Sequence, residues 1–244
     1  MSEKINRRIL ITNDDGIDAD GLIRLVEEAL NFGEVWVIAP KDQRSAASHS
    51  ITLRDSIDVY PYPEFPVKGV KAYHCSGTPA DCVRVGVRKI MPYKPDLVLS
   101  GINYGYNAAT DLQYSATVGA AFEAAFQEVH AIALSEGFSM CHEVTDKYLH
   151  EIIAKLIDTP LGYGQVHNVN FPDCPLGECK GVLYDMKVSH GYYYEDEYNV
   201  IKELNDGGVR LMVEGHRRNE SEEGTDFRAL AENYVSVGII NNIG

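Results

Sequence analysis

Arg8-Ile9-Leu10-Ile11-Thr12-Asn13-Asp14-Asp15-Gly16 reads as a buried strand of continuous apolar character that stops at two carboxylates and a glycine. Leu22, Leu25, Val26 and Ala29 then share one helical face, Gly33 closes that helix, and Val35-Trp36-Val37-Ile38-Ala39-Pro40 is a second apolar strand. The same alternation predicts strands at 71–75, 97–100, 131–135 and 166–171, and helices at about 79–90, 116–128 and 146–157. Strands separated by whole helices are joined by crossovers rather than hairpins. The expected fold is therefore α/β, a Rossmann-like three-layer sandwich with a mostly parallel sheet covered on both faces.

Two stretches break the rhythm. Residues 50–66 alternate polar and apolar positions and then carry three prolines, which suggests a hairpin or insertion. After Pro172 the strand–helix pattern stops. The stretch holding Tyr192-Tyr193-Tyr194-Glu195-Asp196-Glu197-Tyr198 and Gly207-Gly208 suggests extended segments about a turn, and Tyr234-Val235-Ser236-Val237-Gly238-Ile239-Ile240 a final strand. We expect a catalytic core of residues 1–183 and 232–244, with 184–231 an extended β arm. Its tyrosines (Tyr184, Tyr192, Tyr193, Tyr194, Tyr198) offer large contact areas with polar tips, which suits a subunit interface in a homodimer or homotetramer.

The 244 residues are 45% hydrophobic and carry a net charge of −14. Such a chain repels polyanions, which argues against nucleic-acid polymers as partners. No apolar run is long enough for a membrane span, and the N-terminus shows no signal-peptide pattern, so a cytoplasmic location is expected. Five cysteines are too few and too scattered for a disulfide framework. Asn219-Glu220-Ser221 matches a glycosylation sequon that has no meaning without secretion. An acidic protein that acts on a phosphate ester must reverse the sign locally, with a cation or with backbone N–H groups.

In open α/β sheets the functional loops lie beyond the carboxyl ends of the strands. The first strand ends in Asp14 and Asp15, and Gly16 permits the sharp turn that lets both carboxylates converge. Like charges that close call for a cation between them, although an isolated Asp-Asp-Gly is read first as a solvated acidic turn capping the next helix. The second strand runs into a loop with Ser45 and His49, and the strand at 97–100 into Gly101-Ile102-Asn103 and then Asn107. Ser115 and Thr117 flank the start of a small-residue helix, a natural phosphate seat that also serves as a hydroxyl cap. Asp, Asp, Ser and Asn are hard oxygen donors, suited to Mg²⁺ or Mn²⁺ and poor for Zn²⁺. Competing signatures fail. Neither a P-loop nor a dinucleotide Gly motif is present, an EF-hand alignment would put Gly16 at the first ligand position, and no Gly-x-Ser-x-Gly elbow occurs.

These residues also carry a resemblance. Ile11-Thr12-Asn13-Asp14-Asp15-Gly16, Gln43-Arg44-Ser45-Ala46, Ser76-Gly77-Thr78-Pro79-Ala80-Asp81, Ser100-Gly101-Ile102-Asn103 and Tyr114-Ser115 with Thr117-Val118-Gly119 are similar to motifs of the SurE family, stationary-phase survival proteins with 5′-nucleotidase activity. The resemblance implies one divalent metal ion per subunit, Mg²⁺ or Mn²⁺, held by Asp14, Asp15, Ser45 and Asn103. It places Asn107, Ser115 and Thr117 near the phosphate and implies pairing of subunits through C-terminal extensions. The chain carries Ala116 where the family usually has Gly.

The expected chemistry is hydrolysis of nucleoside 5′-monophosphates or other phosphate monoesters, with Asp14 or Asp15 steering or deprotonating the attacking water. The rivals are a haloacid-dehalogenase-like phosphatase with an aspartyl-phosphate, for which the strand-end Asp-x-Asp is missing, and a nucleotide-binding regulatory protein without turnover.

Overall fold

Alternate residues of the first strand serve two different cores. Ile9 and Ile11 pack on one side of the sheet and Leu10 on the other, all without solvent exposure. A computed structural model of the protein describes residues 7–139, 141–218 and 221–243; residues 1–6, and 219 and 220 of the sequon, lie outside them. Strand β1 (Arg7–Thr12) pairs in parallel with β2 (Gly33–Pro40) on one side and β5 (Leu97–Tyr104) on the other. Strand β4 (Lys71–Cys75) extends the parallel set beyond β2, and β6 (His130–Glu136) and β7 (Gln165–Phe171) extend it beyond β5. The short strand β3 (Val59–Pro61) adds to β4 antiparallel. At the other edge β11 (Val235–Asn241) runs antiparallel to β7, and β8 (Val182–Leu183) parallel to β11. The nine-stranded order is β3-β4-β2-β1-β5-β6-β7-β11-β8.

Helices cover both faces. Leu22, Leu25, Val26 and Ala29 of α1 (Asp20–Ala29), with Val144, Leu149, Ile152, Ile153 and Leu156 of α4 (Glu143–Leu156), fill the core that Ile9 and Ile11 enter. Cys82 and Val83 of α2 (Pro79–Val85), with Val118 and Phe122 of α3 (Ala116–Phe126), fill the core around Leu10. This is the three-layer α/β arrangement expected from the alternation. Chain order moves outward from β1 to β2 and β4, then returns to β5 on its other side, so the switch point lies between β1 and β5. The crevice beyond their carboxyl ends is the place where such folds bind ligands.

Some element bounds differ from expectation. The helix expected at 79–90 is α-helical only to Val85 and continues as a π-helical turn, Gly86–Ile90. Helix α4 begins at Glu143 rather than 146, with no side-chain cap at His142 to announce it. Of the stretch 50–66 only β3 is regular. Strand β5 runs on to Tyr104 through a register shift against β6 between Ser100 and Asn103.

Within residues 184–231, β9 (Tyr194–Glu203) and β10 (Val209–Arg217) form a separate antiparallel hairpin whose residues are nearly all exposed. On either side of the hairpin the chain returns to the body. Tyr193, with Phe227 and Leu230 of α5 (Asp226–Ala231), is buried in a small cluster with Ala108 and Ala109. The Asp226 carboxylate accepts from the amides of Ala109 (3.0 Å), Ser189 (2.9 Å) and Phe227 (2.7 Å), which pins the root of the hairpin to the loop after β5.

Candidate active site at the switch point

The site is built where β1 and β5 end side by side. Gly16, at φ +104°, turns the chain directly after Asp15, and the Asn13 side-chain amide donates to the Gly16 carbonyl at 2.8 Å to hold that turn. On β5, Gly101 sits at φ +139°, and a Cβ there would meet the Leu134 carbonyl oxygen at 2.3 Å. Only glycine passes, and the register shift that follows re-aims the next side chains, including Asn103, as β-bulges do.

Asp14 is 4% exposed and its Oδ1 accepts from the Thr117 hydroxyl, which ties the end of β1 to the first turn of α3. Asp15 accepts from the Tyr104 amide at 3.2 Å and from the Gln43 side chain at 3.3 Å. The same Gln43 amide donates to Ser45 Oγ at 2.9 Å. Asn103 donates its side-chain N–H to the Gly105 carbonyl at 2.7 Å, which leaves its carbonyl oxygen as the group with valence to spare. Hydrogen bonds through Gln43 and the Tyr104 amide thus link Asp15 to the strand-end loops that carry Ser45 and Asn103, while Asp14 is linked to α3.

The electrostatics of the pair are those of an uncompensated site. Burial pushes the Asp14 carboxyl up to about 6, with the Asp15 charge adding to the rise and the Thr117 hydrogen bond opposing it. Burial raises Asp15 as well, against the Tyr104 and Gln43 donors. Among the described residues neither carboxylate has an ion-pair partner, although Arg24, Arg84 and His49 all pair elsewhere. Two carboxylates, a hydroxyl and an amide carbonyl form an all-oxygen set short of positive charge, and that chemistry fits a hard divalent cation.

The start of α3 supplies the second half of the site. Ser115 caps the helix by accepting from the Val118 amide at 3.1 Å. The amides of Ala116 and Thr117, at the first two helical positions, have no acceptor within the helix and are free for an anion. Thr117 is wholly buried and its hydroxyl is committed to Asp14, so it bears on the carboxylate as directly as on any phosphate. Asn107 is fastened differently. Its side-chain N–H donates to Ser135 Oγ (2.8 Å), its amide donates to Asn170 Oδ1 (2.8 Å), and its carbonyl accepts from Asn168 (2.9 Å) and Asn170 (3.0 Å).

Several supporting residues were not singled out from the sequence. Gln43 is the bridge between Asp15 and Ser45, and its place two residues before Ser45 was the available signal. Buried Glu123 accepts from His49 Nε2 (3.0 Å), Arg84 (3.0 Å) and Gln127 (2.7 Å). That network clamps the loop carrying Ser45 onto α3. Ala46 and Ser48 in this loop hold φ of 56° and 53°, and Gly119 lets the Ser48 carbonyl approach so closely that a Cβ would meet it at 2.4 Å.

The sequence model described as "Survival protein SurE" matches residues 9–193. A protein of Mesorhizobium japonicum named 5′-nucleotidase SurE is 38% identical over 240 residues, covering 94% of this chain and 91% of its own. One of the same name from Thermosipho melanesiensis is 37% identical over 237 residues, covering 94% of this chain and 89% of its own. The crystal structure of the SurE protein from Aquifex aeolicus superimposes with a TM-score of 0.80 at 31% identity, over 96% of this chain and 93% of that one.

Proposed function

The chain belongs to the SurE family, and from that premise we propose that it is a divalent-metal-dependent 5′-nucleotidase, hydrolysing nucleoside 5′-monophosphates and other phosphate monoesters. The observation that carries this reading is the couple of buried Asp14 and half-buried Asp15 at the switch point, without an ion-pair partner among the described residues and joined through Thr117 to a helix start with free amides. Phosphate-monoester hydrolysis without a catalyst is among the slowest of biological reactions, so the site must supply a large stabilisation of developing charge.

Asp14, Asp15, Ser45 and Asn103 would hold the ion, Mg²⁺ or Mn²⁺, one per subunit. Bound there, it supplies positive charge against a phosphoryl oxygen and orients water. The chain's own residues do the rest. The Ala116 and Thr117 amides donate to the remaining phosphoryl oxygens as negative charge builds on them. Asn107 and the Ser115 cap keep the two loops around the phosphate in place. Asp14 Oδ2, free of the Thr117 bond, or Asp15, takes a proton from the attacking water.

We further infer a cytoplasmic protein that assembles as a homodimer or homotetramer. No described helix is long and apolar enough to cross a membrane, and all five cysteines are unpaired, as expected in a reducing compartment. The exposed hairpin supplies the apolar surface for assembly. The functional test is a phosphate-release screen over nucleotides and simple phosphoesters after chelation, with and without added Mg²⁺ or Mn²⁺. Metal-restored turnover is expected, and full activity in chelator-treated protein would sink the metal-dependent reading.

A further inference from the structure

A cleft lined by residues next to this site in sequence has no part in the chemistry above. It encloses about 1010 Å³ between the body and the root of the β9–β10 hairpin, at the upper end of ligand-pocket sizes. Its body-side wall includes Ala46 and Tyr114. Ala46 follows Ser45 and Tyr114 precedes Ser115, so the wall starts one residue from a metal-ligand position and one residue from the phosphate-side cap. The Ser48 amide donates to the Tyr114 carbonyl at 3.0 Å and joins those two loops into one surface.

The opposite wall comes from the hairpin root. Tyr194, Asp196 and Tyr198 are spaced by two along β9, so one strand face points all three into the cleft, and Tyr192 stands just before it. Tyr114, Tyr192 and Tyr198 are each more than half exposed. Tyr114 from the body and Tyr192 from the hairpin root line the cleft together. The root is not loosely hung. Asp111 accepts from the Tyr193 and Tyr194 amides, each at 3.0 Å, and Tyr193 is buried against Phe227.

We propose that this tyrosine-lined cleft seats the nucleoside portion of the substrate, with the base stacked on Tyr114 or Tyr192 and the ribose hydroxyls donating to Asp196. The proposal rests on the nucleotidase reading and extends it by naming what recognises the leaving group. Open phenol rings offer π-faces that accept any base, and the exposed carboxylates accept hydrogen bonds from hydroxyls while repelling a second phosphate. Arg218, also on the lining, is the one cation among the described cleft-lining residues and offsets part of that negative charge. A site of this kind prefers nucleosides over base-free sugars through stacking, which every base can supply.

The test compares kcat/KM for adenosine 5′-monophosphate and ribose 5-phosphate, which share phosphoryl group and sugar and differ in the base. It uses the full chain and its Tyr192→Ala, Tyr114→Ala and Tyr192→Phe variants. Stacking on one ring is worth about five- to hundredfold in affinity. The native protein should favour the nucleotide by about tenfold or more, the alanine variants should lose most of that ratio, and Tyr192→Phe should keep it. A native ratio near one, or alanine variants that slow both esters equally, overturns the inference and leaves the phosphatase reading standing. If neither ester is hydrolysed, the phosphatase reading fails, and calorimetry with adenosine decides the cleft alone. Saturable binding weakened by Tyr192→Ala supports it, and absence of binding overturns it.

Discussion

The Thr117 hydroxyl donates to Asp14 Oδ1 inside the protein, so the first turn of α3 and the end of β1 share one buried hydrogen bond. The residue nearest the proposed phosphate seat is thereby coupled to the proposed metal seat. A hydrogen bond to a charged group is worth roughly 1.5–3 kcal/mol. Thr117→Val should raise the Mn²⁺ concentration for half-maximal activity about tenfold or more, besides lowering kcat. Asn103→Ala should raise the metal requirement without a comparable change in phosphate affinity. A Thr117→Val enzyme with a native metal titration and only a raised KM would show that the bond to Asp14 has no functional weight.

Asp14 also makes a prediction about stability. Its carboxyl is raised from 3.8 to about 6 by burial first and by Asp15 second. A raised carboxyl contributes stability that is complete below the unfolded value and is lost as pH rises through the folded value. Above pH 6 the metal-free fold therefore carries the cost of an ionised buried group, roughly 2–3 kcal/mol. Asp14→Asn should abolish phosphate release yet raise the Tm of metal-free protein at pH 7.5, with little change at pH 4. Equal Tm values at both pH values would show that the charge is not the source of the cost.

The opposite sign applies at the far end of the sheet. Burial pushes His167 down to about 4, with His130 opposite it at a ring separation of 5.4 Å as the second cause. A depressed imidazole contributes stability that is present above the unfolded value of 6.5 and is lost as pH falls through the folded value. His167→Gln should lessen the loss of stability between pH 6.5 and pH 4, followed by urea unfolding at each pH. A variant that loses stability across this window as steeply as the native protein would count against His167 as the group responsible.

The Glu123 clamp is open to a similar test. Its carboxylate is buried between Arg84, Gln127 and His49, and the last of these belongs to the loop that carries Ser45. Removing one member of a buried charge network costs roughly 3–5 kcal/mol, and less here because Arg84 is partly exposed. Glu123→Ala should lower Tm and raise the Mn²⁺ requirement, while His49→Gln, which can still hydrogen-bond Glu123, should recover most of the metal affinity lost in His49→Ala. Equal metal titrations for the two His49 variants would remove His49 from any positioning role.

How much of this was legible beforehand depends on the range of the interaction. Ile9, Leu10 and Ile11 announce a central strand because a parallel strand is buried on both faces and needs no polar alternation. Asp15, Gly16 and Asn103 could be gathered onto one edge because strand ends in such sheets converge there. The Thr117–Asp14 bond could not be read, since it depends on the rotation of α3 about its axis when it docks on the sheet. The bridge made by Gln43 was only partly legible, because its place two residues before Ser45 marks the loop but not which of its side chains reaches Asp15. The run of tyrosines was visible as a run, but its division was not. Tyr193 is buried beside Phe227 while Tyr192 and Tyr198 stay exposed, a split set by where β9 leaves the body.

The hairpin itself supplies the last prediction. Val200, Ile201, Leu211, Met212 and Val213 are each about half exposed or more, on a two-stranded sheet left uncovered by the other described elements. An isolated hairpin is at best marginally stable in water, and apolar residues on an uncovered ribbon signal a binding surface. A second copy of the chain is the partner that the family resemblance implies, with the aliphatic outer part of the ribbon in the contact and the tyrosines near its root left for the substrate cleft. Tyr194 and Arg217 are cross-strand partners, so replacing residues 195–216 by two glycines closes the chain without disturbing the body. Light scattering at micromolar concentration should give the intact protein the mass of a dimer or tetramer and the shortened protein a smaller assembly. Leu211→Lys with Val213→Lys should act in the same direction while keeping the ribbon. A monomeric intact protein, or a shortened one with unchanged mass, would remove the hairpin from assembly.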